Sequence, residues 1–262
     1  MEPVLEVKNL SMDFGGLRAL DRVDLSVGTQ EIVALIGPNG AGKTTFFNCI
    51  TGLYSPTEGD MLIHDSTGKT ESLKGLKPNE VTKKGLARTF QNIRLFLNMT
   101  VLENVMIGRH CRTGAGILGA VLKNRRTREE EQKIVEDSYL VLEKIGLAAY
   151  VNEFAKNLPY GAQRRLEIAR ALASEPFLLL LDEPAAGMNP QETRKLDELI
   201  LKIREEEKVS ILLIEHDMKL VMSLSDNIFV VDYGKKIAQG TPEEIKNNSA
   251  VIKAYLGEDL DA

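Results

Sequence analysis

The sequence lacks most of what marks secreted, membrane-spanning or nucleic-acid-binding chains. It has two cysteines, Cys49 and Cys111, far apart and without CxxC spacing. That excludes a disulfide framework or a thiolate metal site and fits a reduced, cytosolic compartment. Cys49, beside Phe46, Phe47 and Ile50, reads as a small buried apolar residue of a helix. No apolar run approaches the ~20 residues of a membrane span; Phe177-Leu178-Leu179-Leu180-Leu181 is among the longest. Residues 1–9 mix acids with apolar residues and do not read as a signal peptide. A basic surplus is missing too. The formal net charge is −5 and the pI about 5.5, which argues against a nucleic-acid surface. There is no internal repeat, long linker or sustained heptad pattern.

What remains is ordinary globular material: 262 residues, 43% apolar and 27% charged, enough for one large domain or a core with a lobe. Val4-Leu5-Glu6-Val7 and Val23-Asp24-Leu25-Ser26-Val27 alternate in part as strands, punctuated by Gly15-Gly16 and Gly28-Thr29. Ile32-Val33-Ala34-Leu35-Ile36 is a continuous apolar run, the pattern of a strand buried on both faces. Three similar runs lie at 177–181, 209–214 and 227–231. Leu196, Leu199, Ile200 and Ile203 follow the spacing of one buried helical stripe. Buried strands alternating with amphipathic helices predict a parallel α/β core. The middle, about 86–165, reads as an inserted helical lobe, with a helical segment from Val101 and Val135, Tyr139 and Leu142 at helical spacing. Its Gly-rich apolar stretch 114–122 reads as a lobe loop or short packed helix, or else as a partner surface.

The chemistry is concentrated in four places. Gly37-Pro38-Asn39-Gly40-Ala41-Gly42-Lys43-Thr44 matches G-x-x-x-x-G-K-[ST] between a buried strand and a helix. Such glycines turn backbone N–H groups toward one anion, and the helix N-terminus adds a favourable dipole. Lys43 is expected to reach the β- and γ-phosphates of a nucleoside triphosphate. Thr44 offers a hydroxyl to Mg²⁺, and Thr45 is placed for the α-phosphate. Asp182 and Glu183 stand at the end of a second buried strand, one for the metal and one to polarise a water, the division that phosphoryl transfer requires. His216 follows a third buried strand and is a candidate for the γ-phosphate; His64 and His110 read as structural. Gln91, at the junction to the lobe, is a candidate bridge from γ-phosphate or Mg²⁺ to that lobe.

Taken together, these residues resemble the ATP-binding cassette (ABC) ATPases over nearly the whole chain. The phosphate loop Gly37–Thr45, the glutamine loop at Gln91, the acidic motif Phe177–Pro184 and the histidine at His216 come in the family's order. The family signature, usually LSGGQ, stands as Leu158-Pro159-Tyr160-Gly161-Ala162, followed by Gln163-Arg164-Arg165-Leu166-Glu167. The resemblance implies a P-loop NTPase core with an N-terminal antiparallel β subdomain, 1–86 and 166–262, and an inserted α-helical subdomain, 87–165. It implies ATP and Mg²⁺, with Thr44, Gln91 and Asp182 toward the metal and Phe14 stacking on adenine. It also implies a head-to-tail pair of cassettes in which Gly161, Ala162 and Gln163 meet the partner's ATP, docked on membrane permeases at the inner face of the cell membrane.

A narrower resemblance is carried by Leu86-Ala87-Arg88-Thr89-Phe90-Gln91-Asn92-Ile93-Arg94-Leu95-Phe96 and by the ending from Gly240-Thr241-Pro242 to Leu256-Gly257. These are similar to the LivG-type ATPases of bacterial branched-chain amino acid importers, which work with a second ATPase, two permeases and a substrate-binding protein. Urea and short-chain amide importers share much of this pattern. A soluble cassette acting on ribosomes or DNA is the alternative of a different class. Within the signature three positions depart from the family: Pro159 replaces the serine, Tyr160 a glycine and Ala162 a glutamine. Asn189 stands where aspartate is usual after Glu183. The lost hydroxyl at Pro159 predicts a weaker composite site using this chain's signature, which suits an unlike partner cassette, with a homodimer as the alternative.

Overall fold

The computed structural model describes residues 3–65, 68–112 and 125–258. The stretch 114–122 lies outside these described residues.

The chain begins with β1 (Pro3–Phe14) and β2 (Leu17–Gly28), joined by Gly15-Gly16 in a tight antiparallel hairpin. Both strands run to twelve residues, longer than their alternation suggests. Register shifts between Val7 and Leu10 and between Leu10 and Met12 bury Leu10, Ser11 and Met12 in succession, which hides the period of two. After β3 (Ile32–Ile36) and α1 (Lys43–Ile50), β4 (Glu58–His64) and β5 (Thr70–Ser72) complete a four-stranded sheet in the order β2-β1-β4-β5.

Next come α2 (Pro78–Lys83), β6 (Leu86–Arg88), α3 (Val101–Arg109), α4 (Arg125–Lys144) and α5 (Tyr160–Leu172). The chain then alternates β7 (Leu178–Asp182), α6 (Pro190–Glu207), β8 (Ser210–Ile214), α7 (Met218–Leu224) and β9 (Asn227–Asp232). It closes with β10 (Lys235–Gly240), α8 (Pro242–Lys246) and α9 (Ser249–Glu258). The second sheet has six strands in the order β10-β9-β3-β8-β7-β6, parallel except for β10.

β3 sits inside this sheet, with Ala34 paired to Leu213 on one side and Ile228 on the other. All five of its residues are buried because both faces are covered. Alternate residues enter different cores: Val33 and Leu35 pack with Phe46, Phe47 and the first sheet, whereas Ala34 and Ile36 pack with Val221, Ile228 and Ile245. On the flank of β7 and β8, Leu179, Leu181, Ile211 and Leu213 meet the stripe Leu196, Leu199, Ile200 and Ile203 of α6. Among the described side chains of α4, Ser138 and Leu142 are buried, while Tyr139 turns outward, 40% exposed. Helix α5 runs unbroken from Tyr160 to Leu172, across residue 165.

Candidate functional site

The parallel strands β3, β7 and β8 end along one edge of the sheet, and each delivers part of the site. β3 runs into the loop at 37–42. Gly37 has φ +153°, and a Cβ there would lie 1.9 Å from Val231 O. Gly42, at φ +104°, caps α1 in a left-handed conformation, where a Cβ would lie 2.8 Å from Ala19 O. Both positions therefore require glycine. No acidic residue occupies the first turn of α1, so its N–H groups and dipole favour an incoming anion. Lys43 is buried, and its Nζ donates to Gly37 O and Pro38 O, each at 2.7 Å. These bonds hold the ammonium against the loop. Asn39 and Gly40 form the exposed tip; Ala41 is buried, Thr44 is exposed and Thr45 half-buried.

β7 ends at Asp182, which is 5% exposed. Its Oδ2 accepts Arg88 Nη2 at 2.7 Å, while Arg88 Nη1 donates to Asn48 Oδ1 at 2.7 Å and Thr51 Oγ1 at 3.1 Å. The guanidinium also lies 5.4 Å from the Phe47 ring centroid and 5.2 Å from that of Phe90. Arg88 was not among the expected site residues. Its signal was available: an arginine inside an otherwise apolar buried strand needs an acid to face it.

Glu183 follows in the left-handed region, at φ +48°, with its N–H donating to Ile214 O at 2.9 Å. That conformation costs a non-glycine residue about 1 kcal/mol or more and points to a constraint worth retaining. The constraint is visible: Glu183 Oε2 accepts Gln91 Nε2 at 2.7 Å, and Oε1 lies 2.7 Å from His216 Nε2. Three residues distant in sequence thus form one hydrogen-bonded group. A carboxylate oxygen only accepts, so His216 donates here in the tautomer that carries its proton on Nε2.

Beneath them is Glu215, 4% exposed, another residue absent from the expected set. Its carboxylate accepts Ala185 N at 2.8 Å and His216 N at 3.0 Å, fixing the backbone that leaves Glu183 and the backbone of His216. Burial pushes its carboxyl above the ordinary range, opposed by those backbone bonds. Asp197 on α6 faces the same region. Desolvation, then the charges of Asp217, Glu215 and Glu198, push it from 3.8 up to about 6. A raised carboxyl is bound to its proton more tightly in the folded chain, so its charge costs stability above about pH 6 and costs nothing below about 3.8. Allowing for solvent screening, that cost is about 1 kcal/mol. Asp197→Asn is therefore expected to raise Tm by about 2–4 °C at pH 7.5, and the gain should vanish near pH 4. Thermal melts across that range check it; a gain independent of pH would be the wrong result.

Phe14 ends β1 half-exposed, its ring edge-to-face with Tyr54 at 5.3 Å between centroids. Tyr54, a further unexpected member, steadies that ring. The signature residues lie elsewhere, at the start of α5. Pro159 is the N-cap, its carbonyl accepting Ala162 N and Gln163 N at 2.9 and 3.0 Å. Gly161 and Ala162 are buried, and Gln163 Nε2 donates to Leu158 O at 3.0 Å. Among the described hydrogen bonds, theirs do not run to this chain's own phosphate loop. Asn189 caps α6, accepting Gln191 N and Glu192 N at 3.0 Å each. The amide oxygen thus does the capping that an aspartate would do.

A glycine loop at a helix N-terminus beside two strand-end acids is the geometry of a nucleoside triphosphatase. Residues 20–186 match the family described as ABC transporter. The chain belongs to the ABC transporter family. It is an ATP-binding cassette, an ATPase that drives transport. Residues 235–261 match a second family, described as branched-chain amino acid ATP-binding cassette transporter. The chain is 51% identical over 257 residues to LivG, the high-affinity branched-chain amino acid transport ATP-binding protein of Escherichia coli K12, covering 98% of this cassette and 99% of LivG. It is 49% identical to BraF of Pseudomonas aeruginosa, a protein of the same description, covering 98% of each. Among solved structures, the ADP conformation of an ABC transporter's cassette superposes with a TM-score of 0.84 at 30% identity, covering 98% of this chain and 100% of that one. A dimeric bacterial ABC transporter cassette superposes at 0.74 with 25% identity, covering 91% and 98%. The cassette therefore binds nucleotide, and its family works as dimers on permeases. No described helix is long and apolar enough to cross a membrane.

Proposed function

We propose that this cassette energises a high-affinity importer of branched-chain amino acids, pairing head to tail with an unlike second cassette on two permeases at the inner face of the cell membrane. The hydrogen-bonded group Gln91–Glu183–His216 at the strand ends supports the catalytic part. Likeness to LivG and BraF over almost the whole chain supports the substrate class.

In this reading the loop Gly37–Gly42 and the ammonium of Lys43 hold the phosphates, with the N–H groups of its non-proline residues as donors and Pro38, which has none, shaping the turn; Thr45 meets the α-phosphate, and Phe14 stacks on adenine. The oxygen donors Thr44 Oγ1 and Asp182 suit Mg²⁺, a hard cation. Arg88 takes Asp182 Oδ2, leaving Oδ1 for that role, with Gln91 completing the set. The cation would neutralise charge on the β- and γ-phosphates. Glu183 accepts the proton of the attacking water; each carboxylate oxygen keeps a second lone pair beyond its bond to Gln91 or His216. His216, anchored by Glu215 through its backbone, stands ready to donate to the γ-phosphate. Gly161, Ala162 and Gln163 serve the partner's ATP, without the hydroxyl that Pro159 replaces.

Of the stretch 87–165 expected as the lobe, Ala87 and Arg88 lie on β6 of the six-stranded sheet, so the lobe that carries this change to the permeases starts after that strand. Because α5 is continuous across 165, the lobe's hinge belongs at the ends of that helix rather than within it. Phe96, Leu97 and Phe154 are 48%, 49% and 45% exposed on the lobe. Their segments are joined by Lys156 N to Leu97 O at 3.2 Å, and these exposed apolar side chains are candidates for contact with a permease.

The test is isolation of the tagged chain from detergent-solubilised native membranes, with uptake measured after gene deletion. Two permeases and a second, unlike cassette are expected to co-purify, and low-concentration leucine, isoleucine or valine uptake to fall. Loss of urea uptake instead would move the substrate, and co-purification with ribosomes or DNA would overturn the transport reading.

A further inference from the structure

Helix α5 carries a buried ion pair that the catalytic roles above do not use. Arg164 is 0% and Glu167 1% exposed, with Nη1 and Oε2 at 2.9 Å. Burying two charges costs desolvation that their attraction offsets only with good additional hydrogen bonds. Desolvation does push the Glu167 carboxyl above its ordinary range. The shortest of the further bonds go to one segment, 90–94. Arg164 Nη1 donates to Phe90 O and Nη2 to Gln91 O, both at 2.7 Å, and Glu167 Oε1 accepts Arg94 N at 3.2 Å. A planar guanidinium can serve two successive carbonyls at once, which an ammonium cannot do in a fixed geometry.

One turn earlier, on the same face of α5, Tyr160 OH donates to Ala186 O at 2.9 Å and accepts Arg164 Nη2 at 3.5 Å. Gly187 packs against the Tyr160 ring, where a Cβ would lie 3.5 Å from it. Both segments beside Glu183, the one presenting Gln91 and the one leaving Glu183 itself, are thus tied to a single helical turn. That turn is also the signature.

We infer that Arg164, assisted by Tyr160, is a positioning residue that links the two ATP sites of the assembled dimer. When the start of α5 closes on the partner's nucleotide, Arg164 and Tyr160 carry its displacement to Gln91 and Ala186, and so to Glu183 in this chain's own site. The linkage rests on the head-to-tail pairing proposed above. It gives Tyr160, which replaces a signature glycine, a function that glycine cannot perform.

The experiment uses the assembled transporter with Arg164→Lys, which keeps the charge but not the fork, and Tyr160→Phe, which removes one hydroxyl. Wild-type hydrolysis is expected to be cooperative in ATP, with a Hill coefficient of about 1.5–2. Each variant should fall toward about 1, while kcat of Arg164→Lys drops about tenfold through loss of charge-assisted bonds. Amide exchange of segments 90–94 and 185–187 in the full chain should quicken in the same variants. A lowered Tm with an unchanged Hill coefficient, a wild type without cooperativity, or unchanged exchange would each overturn the inference. Should Arg164→Lys not fold, Tyr160→Phe decides alone. Failure of the pairing reads out differently, as absence of ATP-driven association between the Glu183→Gln chain and the partner cassette.

Discussion

Glu183→Gln is expected to lower ATP turnover by roughly a thousandfold while leaving ATP binding intact, the size of effect a positioned general base supplies. The substitution changes one oxygen to an amide nitrogen and keeps the side chain's shape. A glutamine can still meet Gln91 and His216 at the 2.7 Å contacts that Glu183 makes, with the donor and acceptor roles rearranged. What it cannot do is accept the proton of an attacking water. The left-handed backbone at φ +48° is set by the chain around it and carries over to the variant. ATP should therefore remain trapped, and the trapped state should favour association with the partner cassette. Single-turnover hydrolysis and size-exclusion chromatography with ATP measure the two halves. Turnover within about tenfold of wild type would remove Glu183 from its proposed role.

Lys43→Ala acts one step earlier, on binding. The lost ammonium is a buried, charge-assisted donor, and removing it is expected to weaken ATP affinity about a hundredfold, or about 2.7 kcal/mol. A ligand at about 100 times its Kd stabilises a protein by about 2.7 kcal/mol. The same concentration should stabilise the variant by only about 0.4 kcal/mol. The shift in Tm on adding ADP or ATP is thus nearly abolished. Lys43 Nζ also bonds Gly37 O and Pro38 O, so the ligand-free variant should lose a little stability of its own. Comparing melts with and without nucleotide separates the two effects. An undiminished nucleotide shift would contradict the assignment of Lys43 to the phosphates.

Some of the molecule was legible because short-range chemistry decides it. The G-x-x-x-x-G-K-[ST] spacing is its own geometry: Gly37 and Gly42 stand where a Cβ would strike Val231 O or Ala19 O. The run 32–36 could be read as a doubly buried strand because nothing in it alternates. The stripe from Leu196 to Ile203 likewise declared the buried face of α6. The long strands β1 and β2 were only partly legible, since register shifts at Leu10 break the period on which such reading depends.

Asp182, Glu183, Gln91 and His216 could be nominated one by one, each at the end of a strand or at a junction. Their meeting could not, because Gln91 and His216 reach Glu183 only when β6, β7 and β8 lie side by side in parallel register. Arg88 on Asp182, Glu215 beneath the strand ends and Tyr54 against Phe14 are contacts between segments far apart in sequence. The same holds for Arg164. Within the sequence it is one arginine among several in the signature helix, and its burial against the carbonyls of Phe90 and Gln91 belongs to the packing of α5 on the sheet edge. The sequence by itself determined the phosphate loop, the buried strands and the family, because those depend on local backbone geometry and side-chain periodicity. Which residues hold Glu183, and that the signature helix grips its neighbours, was decided only by tertiary structure, because hydrogen bonds between distant segments are set by strand register and helix packing.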